Sequence, residues 1–111
     1  MLNARTYVYA RVSTDEQAKS GAGIDAQIMA IRAYLVFKGD TLPPATEPFI
    51  DDGVSGSVSF AERKAGKAIH TGLRSGDHIV VAKLDRLGRS LMDLLHVLRV
   101  WREGGIIVHV L

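Results

Sequence analysis

The feature that most constrains this chain is a regular alternation of short apolar runs with amphipathic segments. Compact apolar runs indicate buried strands, whereas apolar residues that recur every three or four positions indicate helices. The predicted order is a strand at 5–13, a helix at 24–38, a strand near 47–51, a helix that ends before Gly76, a strand at 78–83, a helix at 91–103 and a strand at 106–111. This alternation predicts an α/β fold, a three-layer, mostly parallel sheet of four or more strands with helices on both faces.

Local patterns support the predicted helices. Gly39 follows the first helix as a C-cap, and Ser59 with Glu62 forms a capping-box pattern for the second. The apolar residues of the first helix recur at the spacing of one face: Ile24, Ile28, Ile31 and Leu35. Those of the third helix do the same: Leu91, Leu94, Leu95, Leu98 and Trp101.

Length and composition exclude several classes of protein. A chain of 111 residues with 47% hydrophobic residues predicts one domain with a real core. The net charge is only +2, so any nucleic-acid surface must be a local cluster of cations. The absence of cysteine excludes disulfides and thiolate metal sites, and a chain without disulfides is typical of proteins in a reducing cytoplasm. No apolar run reaches the length of a membrane span, and we expect a cytoplasmic protein with no membrane partner.

Two arginines lie where the third helix is predicted to begin. Arg86 and Arg89 belong to the segment Lys-Leu-Asp-Arg-Leu-Gly-Arg-Ser at 83–90, although cations oppose the helix dipole at this end. An anion would resolve the conflict, because backbone N–H groups and guanidinium groups both suit phosphate. Three residues apart, the two side chains would lie on neighbouring turns and point the same way. The alternative is two solvated arginines in a loop, and this segment alone favours neither.

A second group of candidate residues lies at the C-terminal end of the first predicted strand. In an extended strand Tyr7, Tyr9, Arg11 and Ser13 share one face, and the C-terminal end of a strand is the usual site edge of an open α/β sheet. Taken singly, Ser13 is typical of a turn or an N-cap and Arg11 of a surface cation. Together with the two arginines near the third helix, they predict a nucleophile in an arginine-lined phosphate pocket.

Three motifs, in this order, resemble the catalytic domain of the serine recombinases, which include resolvases, invertases and large serine integrases. The first is Tyr-Ala-Arg-Val-Ser-Thr at 9–14, followed by Gln17. The second, Asp-Asp-Gly-Val-Ser-Gly-Ser at 51–57, resembles the family's mobile glycine-serine loop. The third is Gly-Asp at 76–77, a short apolar strand, and Lys-Leu-Asp-Arg-Leu-Gly-Arg at 83–89. The resemblance covers essentially the whole chain, and three motifs in register are far more specific than one.

The resemblance implies a site and a reaction. The implied catalytic residues are Ser13, Arg11, Arg63, Asp85, Arg86 and Arg89, and the implied supporting residues are Tyr9, Gln17 and Gln27. Ser13 would attack a DNA phosphodiester and form a covalent 5′-phosphoserine, the arginines would stabilise the developing charge, and strand exchange and religation would follow. The implied partners are double-stranded DNA and further copies of the full-length protein, as a homodimer and a tetramer. No metal, cofactor or small-molecule substrate is expected.

Several points stay open or depart from the family. Asp85 has three open roles: it orients a guanidinium group, caps the following helix, or carries a proton to the leaving oxygen. None of the four histidines is placed to deprotonate Ser13, so the general base is unassigned. Some resolvases carry a lysine where this chain has Gly72, and the order Ala-Gly at 65–66 also differs from the usual pattern after Arg63.

Two expectations concern the extent and the class of the protein. Family members continue into a long dimerisation helix and a DNA-binding domain, so residues 1–111 are expected to be a catalytic domain truncated before both, and inactive alone. One alternative is a non-catalytic interaction domain of the same fold. Another is a phosphoacceptor signalling domain, suggested by Asp51 and Asp52 after a strand and by Lys83. That alternative needs Mg²⁺ ligands and leaves the arginines unexplained.

Overall fold

A computed structural model describes residues 3–14 and 23–111, and the elements follow in the predicted order. The strands are β1 (Thr6–Val12), β2 (Phe49–Asp52), β3 (His78–Val81) and β4 (Ile107–Val110). The helices are α1 (Ile24–Lys38), α2 (Lys64–Gly72) and α3 (Leu91–Glu103), and short 3-10 turns span Gly39–Thr41, Phe60–Glu62 and Leu84–Arg86. Within the described ranges, no helix is long and apolar enough to cross a membrane.

The four strands form one parallel sheet in the order β2-β1-β3-β4. Tyr9 of the central strand β1 pairs with Phe49 on one side and with Val81 on the other. The chain leaves β1 toward β2, whereas it leaves β3 toward the opposite edge. Between β1 and β3 the connections therefore diverge, and this point of an open parallel sheet forms a crevice at the C-terminal ends of the strands.

Helices cover both faces of the sheet, which confirms the predicted three-layer α/β fold. On one face Ile31 of α1 packs against Val8 and Val80. On the other face α2 and α3 bury a larger cluster that includes Tyr9, Phe60, Ile69, Leu94 and Trp101. The alternation predicted for β1 is confirmed, because Tyr7 and Tyr9 lie in the larger cluster and Val8 in the smaller one.

The predicted apolar face of α3 is partly wrong. Leu94 and Trp101 are buried and Leu98 packs against them, but Leu91 and Leu95 are 70% and 54% exposed. Successive helical residues are about 100° apart, so Leu95 points away from the line of residues that faces the sheet. Leu91, the first helical residue, lies outside the buried cluster.

The predicted capping box of α2 is also wrong. The Glu62 amide donates to the Ser59 carbonyl at 3.0 Å, which closes a 3-10 turn, and extended Arg63 separates this turn from the helix. The turn folds back over the start of α2, where a Cβ at Gly66 would lie 2.1 Å from the Phe60 carbonyl oxygen. The close approach of these two backbone segments therefore requires glycine at position 66.

Candidate active site

The candidate residues come from three segments that meet at the C-terminal edge of the sheet. Strand β1 carries Arg11 and ends one residue before half-buried Ser13. The β2–α2 connection carries Arg63, and the β3–α3 connection carries Arg86 and Arg89. Gln17, predicted as a supporting residue, lies outside the described residues. The structure therefore places the first strand's motif and the third motif on the two neighbouring strands that flank the crevice.

Beyond Tyr9 and Val81, the last pair between β1 and β3, side chains bind the backbone of β1 at Arg11. The Gln27 Oε1 atom accepts from the Arg11 amide at 3.2 Å, and its Nε2 atom donates to the Arg11 carbonyl at 2.9 Å. The same carbonyl accepts from Arg86 Nη1 at 3.1 Å. The Arg86 guanidinium group thus lies against the strand two residues before Ser13. Gln27 therefore fixes the backbone at Arg11, two residues before Ser13.

Arg63 is enclosed, with only 1% of its surface exposed. Its Nε donates to the Val58 carbonyl at 2.8 Å, and its Nη1 donates to the Tyr9 hydroxyl at 3.1 Å and to the Arg86 carbonyl. Its Nη2 reaches the Gly56 carbonyl at 3.5 Å. In this conformation Arg63 therefore positions the loop before it and the backbone of Arg86.

Tyr9 and Asp51 continue this network into α2. The Tyr9 hydroxyl donates to Asp51 Oδ2 at 2.7 Å, and Asp51 accepts from the amides of Ala65 and Gly66 at 2.8 and 3.0 Å. A carboxylate from β2 thus caps the N-terminus of a helix that begins thirteen positions later in the sequence. Burial raises the pKa of Tyr9 far above its ordinary value, so this hydroxyl stays protonated and serves as a donor.

The role of Asp51 was missed in the sequence. The signal in the sequence was an acidic residue at the end of a strand, and the phosphoacceptor alternative takes this residue as part of a metal-dependent site instead of as a helix cap. That alternative needs the carboxylate to be open to a metal ion, yet Asp51 is 2% exposed and its oxygens accept from a hydroxyl and two amides.

Asp85 and Arg86 form an ion pair, with Asp85 Oδ1 3.3 Å from Arg86 Nε. The Asp85 side chain is 70% exposed, and Arg86 is buried. Of the three open roles for Asp85, orientation of Arg86 is the one with a contact. Helix α3 is capped instead by Ser90, whose Oγ accepts from the Asp93 amide at 3.1 Å.

The two arginines of the third motif differ in their surroundings. Arg86 belongs to a 3-10 turn and is 4% exposed, whereas Arg89 is exposed before the Ser90 cap and its amide donates to Asp93 at 2.9 Å. The expectation that both lie on neighbouring turns of one helix is therefore wrong, because α3 begins at Leu91 after both. The structure brings Arg86 to the end of β1 and leaves Arg89 at the protein surface.

The electrostatics of this edge favour an anion. Arg11, Arg63 and Arg86 are each at most 6% exposed. Among the described residues, buried Asp51 reaches this group through Tyr9 and exposed Asp85 through Arg86. Buried guanidinium groups keep their charge, so they create a local positive potential although the net charge of the chain is only +2. A hydroxyl nucleophile beside such a cluster can attack a phosphate whose developing charge the guanidinium groups stabilise.

Comparison with known proteins relates the whole chain to one group. The family model "Resolvase, N terminal domain" matches residues 6–111. Serine recombinase PinR from Escherichia coli K12 is 31% identical over 108 residues, and the transposon Tn2501 resolvase from Escherichia coli is 33% identical over 110 residues. Each match covers 97% of this chain and 50% of the relative, so the chain spans about half the length of these curated relatives. The N-terminal catalytic domain of TP901-1 integrase superposes with a TM-score of 0.72 at 31% identity, covering 94% of this chain and 75% of that chain.

Proposed function

Because this chain belongs to the family of resolvase N-terminal domains, we propose that it is the catalytic domain of a site-specific DNA recombinase with Ser13 as its nucleophile. The observation that carries the proposal is the hydrogen bond from Arg86 Nη1 to the Arg11 carbonyl at 3.1 Å. It joins the third motif to the end of β1 next to Ser13, and so supports a shared site for residues 75 positions apart in sequence.

The proposed reaction is a transesterification. The Ser13 Oγ attacks phosphorus as the bond from phosphorus to the 3′ oxygen breaks, the serine loses its proton, and the leaving oxygen gains one. The product is a 5′-phosphoserine linkage with a free 3′ hydroxyl. Attack by a 3′ hydroxyl on this ester reverses the step and religates the strand, so the exchange needs no ATP.

Arg11, Arg86 and Arg89 are the proposed phosphate ligands. A preorganised donor of this kind typically contributes about 2.7–4 kcal/mol to stabilisation of the transition state. Arg63 supports them in this conformation through the Arg86 carbonyl, and Asp85 through its ion pair with Arg86. Tyr9, Gln27 and Gln17 complete the proposed set of supporting residues. The proposed partner is double-stranded DNA, and the proposed active assembly is a homodimer or tetramer of the full-length protein in the cytoplasm.

The test uses the complete product of the gene that encodes this chain. It is incubated with supercoiled plasmids that carry fragments of its source genome and is then quenched with detergent. We expect a covalent protein–DNA adduct that Ser13→Ala abolishes and that Ser75→Ala retains, because exposed Ser75 lies before β3 at the opposite edge of the sheet. DNA cleavage by the Ser13→Ala protein would contradict the proposal.

A further inference from the structure

Helix α3 begins with a capping arrangement that reaches back to Arg89. The Ser90 Oγ atom accepts from the Asp93 amide at 3.1 Å, which satisfies one of the free amides in the first turn. In the usual capping box, the side chain three residues after the cap binds the amide of the cap residue itself. Here Asp93 Oδ2 accepts from the amide of Arg89, one residue before the cap, at 2.9 Å. The carboxylate of Asp93 therefore binds the backbone of Arg89.

The residues on either side of Arg89 are held as well. A Cβ at Gly88 would lie 2.8 Å from the Leu94 Cα atom and 2.9 Å from its amide nitrogen, so glycine lets the chain before Arg89 pack directly against the first turn of α3. After Arg89, the Ser90 carbonyl accepts from the Leu94 amide at 2.9 Å and so begins the helix. The backbone of Arg89 is thus fixed on both sides and at its own amide, while its side chain is exposed to solvent.

Arg86 and Arg89 need different means of orientation. Arg86 is 4% exposed, its carbonyl accepts from Arg63 and its guanidinium group pairs with Asp85. Arg89 is exposed, so burial does not orient it. When a phosphate binds a mobile arginine, both the backbone and the side chain lose conformational entropy, and both losses weaken binding. A backbone that is fixed beforehand leaves only the side chain to be ordered.

The charge of Asp93 suits the same arrangement. A cation close to a helix N-terminus opposes the helix dipole, whereas a carboxylate in the first turn is favourable there. Among the described residues, no ion pair joins Asp93 to the Arg89 guanidinium group. Asp93 therefore stabilises this segment through the backbone and leaves the guanidinium group to bind an anion.

We propose that Asp93 is a positioning residue for Arg89: its carboxylate holds the Arg89 amide, so that the guanidinium group is presented to the DNA phosphate that Ser13 attacks. This inference rests on the proposed function, because it takes Arg89 to be a phosphate ligand. In this role Asp93 acts on the reaction only through Arg89.

The test measures the rate of covalent adduct formation by the complete gene product, with a supercoiled plasmid that the wild-type protein cleaves. Asp93→Ala removes the acceptor for the Arg89 amide, whereas Asp93→Asn keeps an accepting oxygen and removes the charge. Ser90→Ala is the matched control, because it weakens the cap of α3 and leaves the bond between Asp93 and Arg89. The melting temperature of each variant reports its effect on the fold.

We expect Asp93→Ala to slow adduct formation by about tenfold, because the backbone of Arg89 must then be ordered each time a phosphate binds. Asp93→Asn and Ser90→Ala should each stay within about twofold of the wild-type rate, since both keep the hydrogen bond to the Arg89 amide. An unchanged rate in Asp93→Ala, or equal slowing by Asp93→Ala and Ser90→Ala, would overturn the proposal. Equal slowing by Asp93→Asn and Asp93→Ala would assign the effect to charge and would overturn it too.

A second comparison tests whether the effect passes through Arg89. Arg89→Lys keeps the charge but loses the planar guanidinium group whose orientation matters. In this background Asp93→Ala should change the rate by at most about twofold, because both changes remove the same interaction. The full loss in both backgrounds would show that Asp93 acts elsewhere. If Arg89→Lys forms too little adduct to measure, the three variants above decide. Absence of any adduct with the wild-type protein would contradict the proposed function, and this inference with it.

Discussion

Replacement of Asp51 by alanine should be among the most destabilising single changes in this chain. The carboxylate is 2% exposed and accepts from the Tyr9 hydroxyl and from the amides of Ala65 and Gly66. Hydrogen bonds to a charged group contribute about 1.5–3 kcal/mol each, and truncation leaves the buried donors without an acceptor. Loss of a helix N-cap alone costs about 0.5–2 kcal/mol. Because such effects overlap, we expect a total loss of about 3–5 kcal/mol in the free energy of unfolding.

Urea unfolding measures this loss directly. Trp101 is the only tryptophan, is 4% exposed and packs edge-on against Phe60 with ring centroids 5.2 Å apart, so its fluorescence reports the core. With a urea dependence of about 2 kcal/mol per M, the predicted loss lowers the midpoint by about 1.5–2.5 M. Asp40→Ala, at an exposed aspartate, should change stability by at most about 0.5 kcal/mol. A change of similar size in Asp51→Ala would refute the reasoning that the carboxylate joins β2 to α2.

Tyr9→Phe removes the hydroxyl between Arg63 and Asp51 and should cost about 1–3 kcal/mol, measured by the same urea titration. His78 and His109 form a hydrogen-bonded chain with Tyr34, and burial lowers the pKa of both histidines, so the folded state favours neutral rings. The free energy of unfolding should therefore be highest above a pH of about 6.5 and fall as the pH drops below it. His109→Gln should reduce this dependence on pH. Residues 1–111 alone should bind duplex DNA weakly and without sequence preference in a fluorescence anisotropy titration, because a net charge of +2 releases few counterions; tight, sequence-specific binding would contradict this.

Periodicity was sufficient to predict the layers of this fold. The bounds of α1 and α3 match the sequence prediction, because cap residues mark the ends of both apolar patterns. Helix α1 ends before Gly39, and α3 begins after Ser90 and ends before Gly104. The two faces of β1 are also predicted correctly, since alternation places Tyr9 and Val8 on opposite sides of the strand. These features depend on residues close together in the chain.

Features that depend on distant partners could not be predicted. Asp51 caps α2 by accepting from the amide of Ala65, which lies 14 residues later in the sequence, and no local pattern identifies that pairing. The resemblance implied Arg63, but its burial among carbonyl oxygens depends on how residues 53–59 fold over it. The different exposures of Arg86 and Arg89 likewise follow from a 3-10 turn that helical spacing does not indicate.

The central claim is that Ser13 forms a covalent bond to DNA phosphate, and mass spectrometry of the trapped adduct tests it most directly. After nuclease digestion, trypsin should release the peptide of residues 12–19, in which Ser13 is the only serine. We predict that this peptide carries the added mass of a nucleotide linked through its 5′ phosphate, with fragment ions that place the phosphate on Ser13. A nucleotide on Thr14 or on any other peptide, or cleaved DNA with no attached protein, would contradict the proposed mechanism.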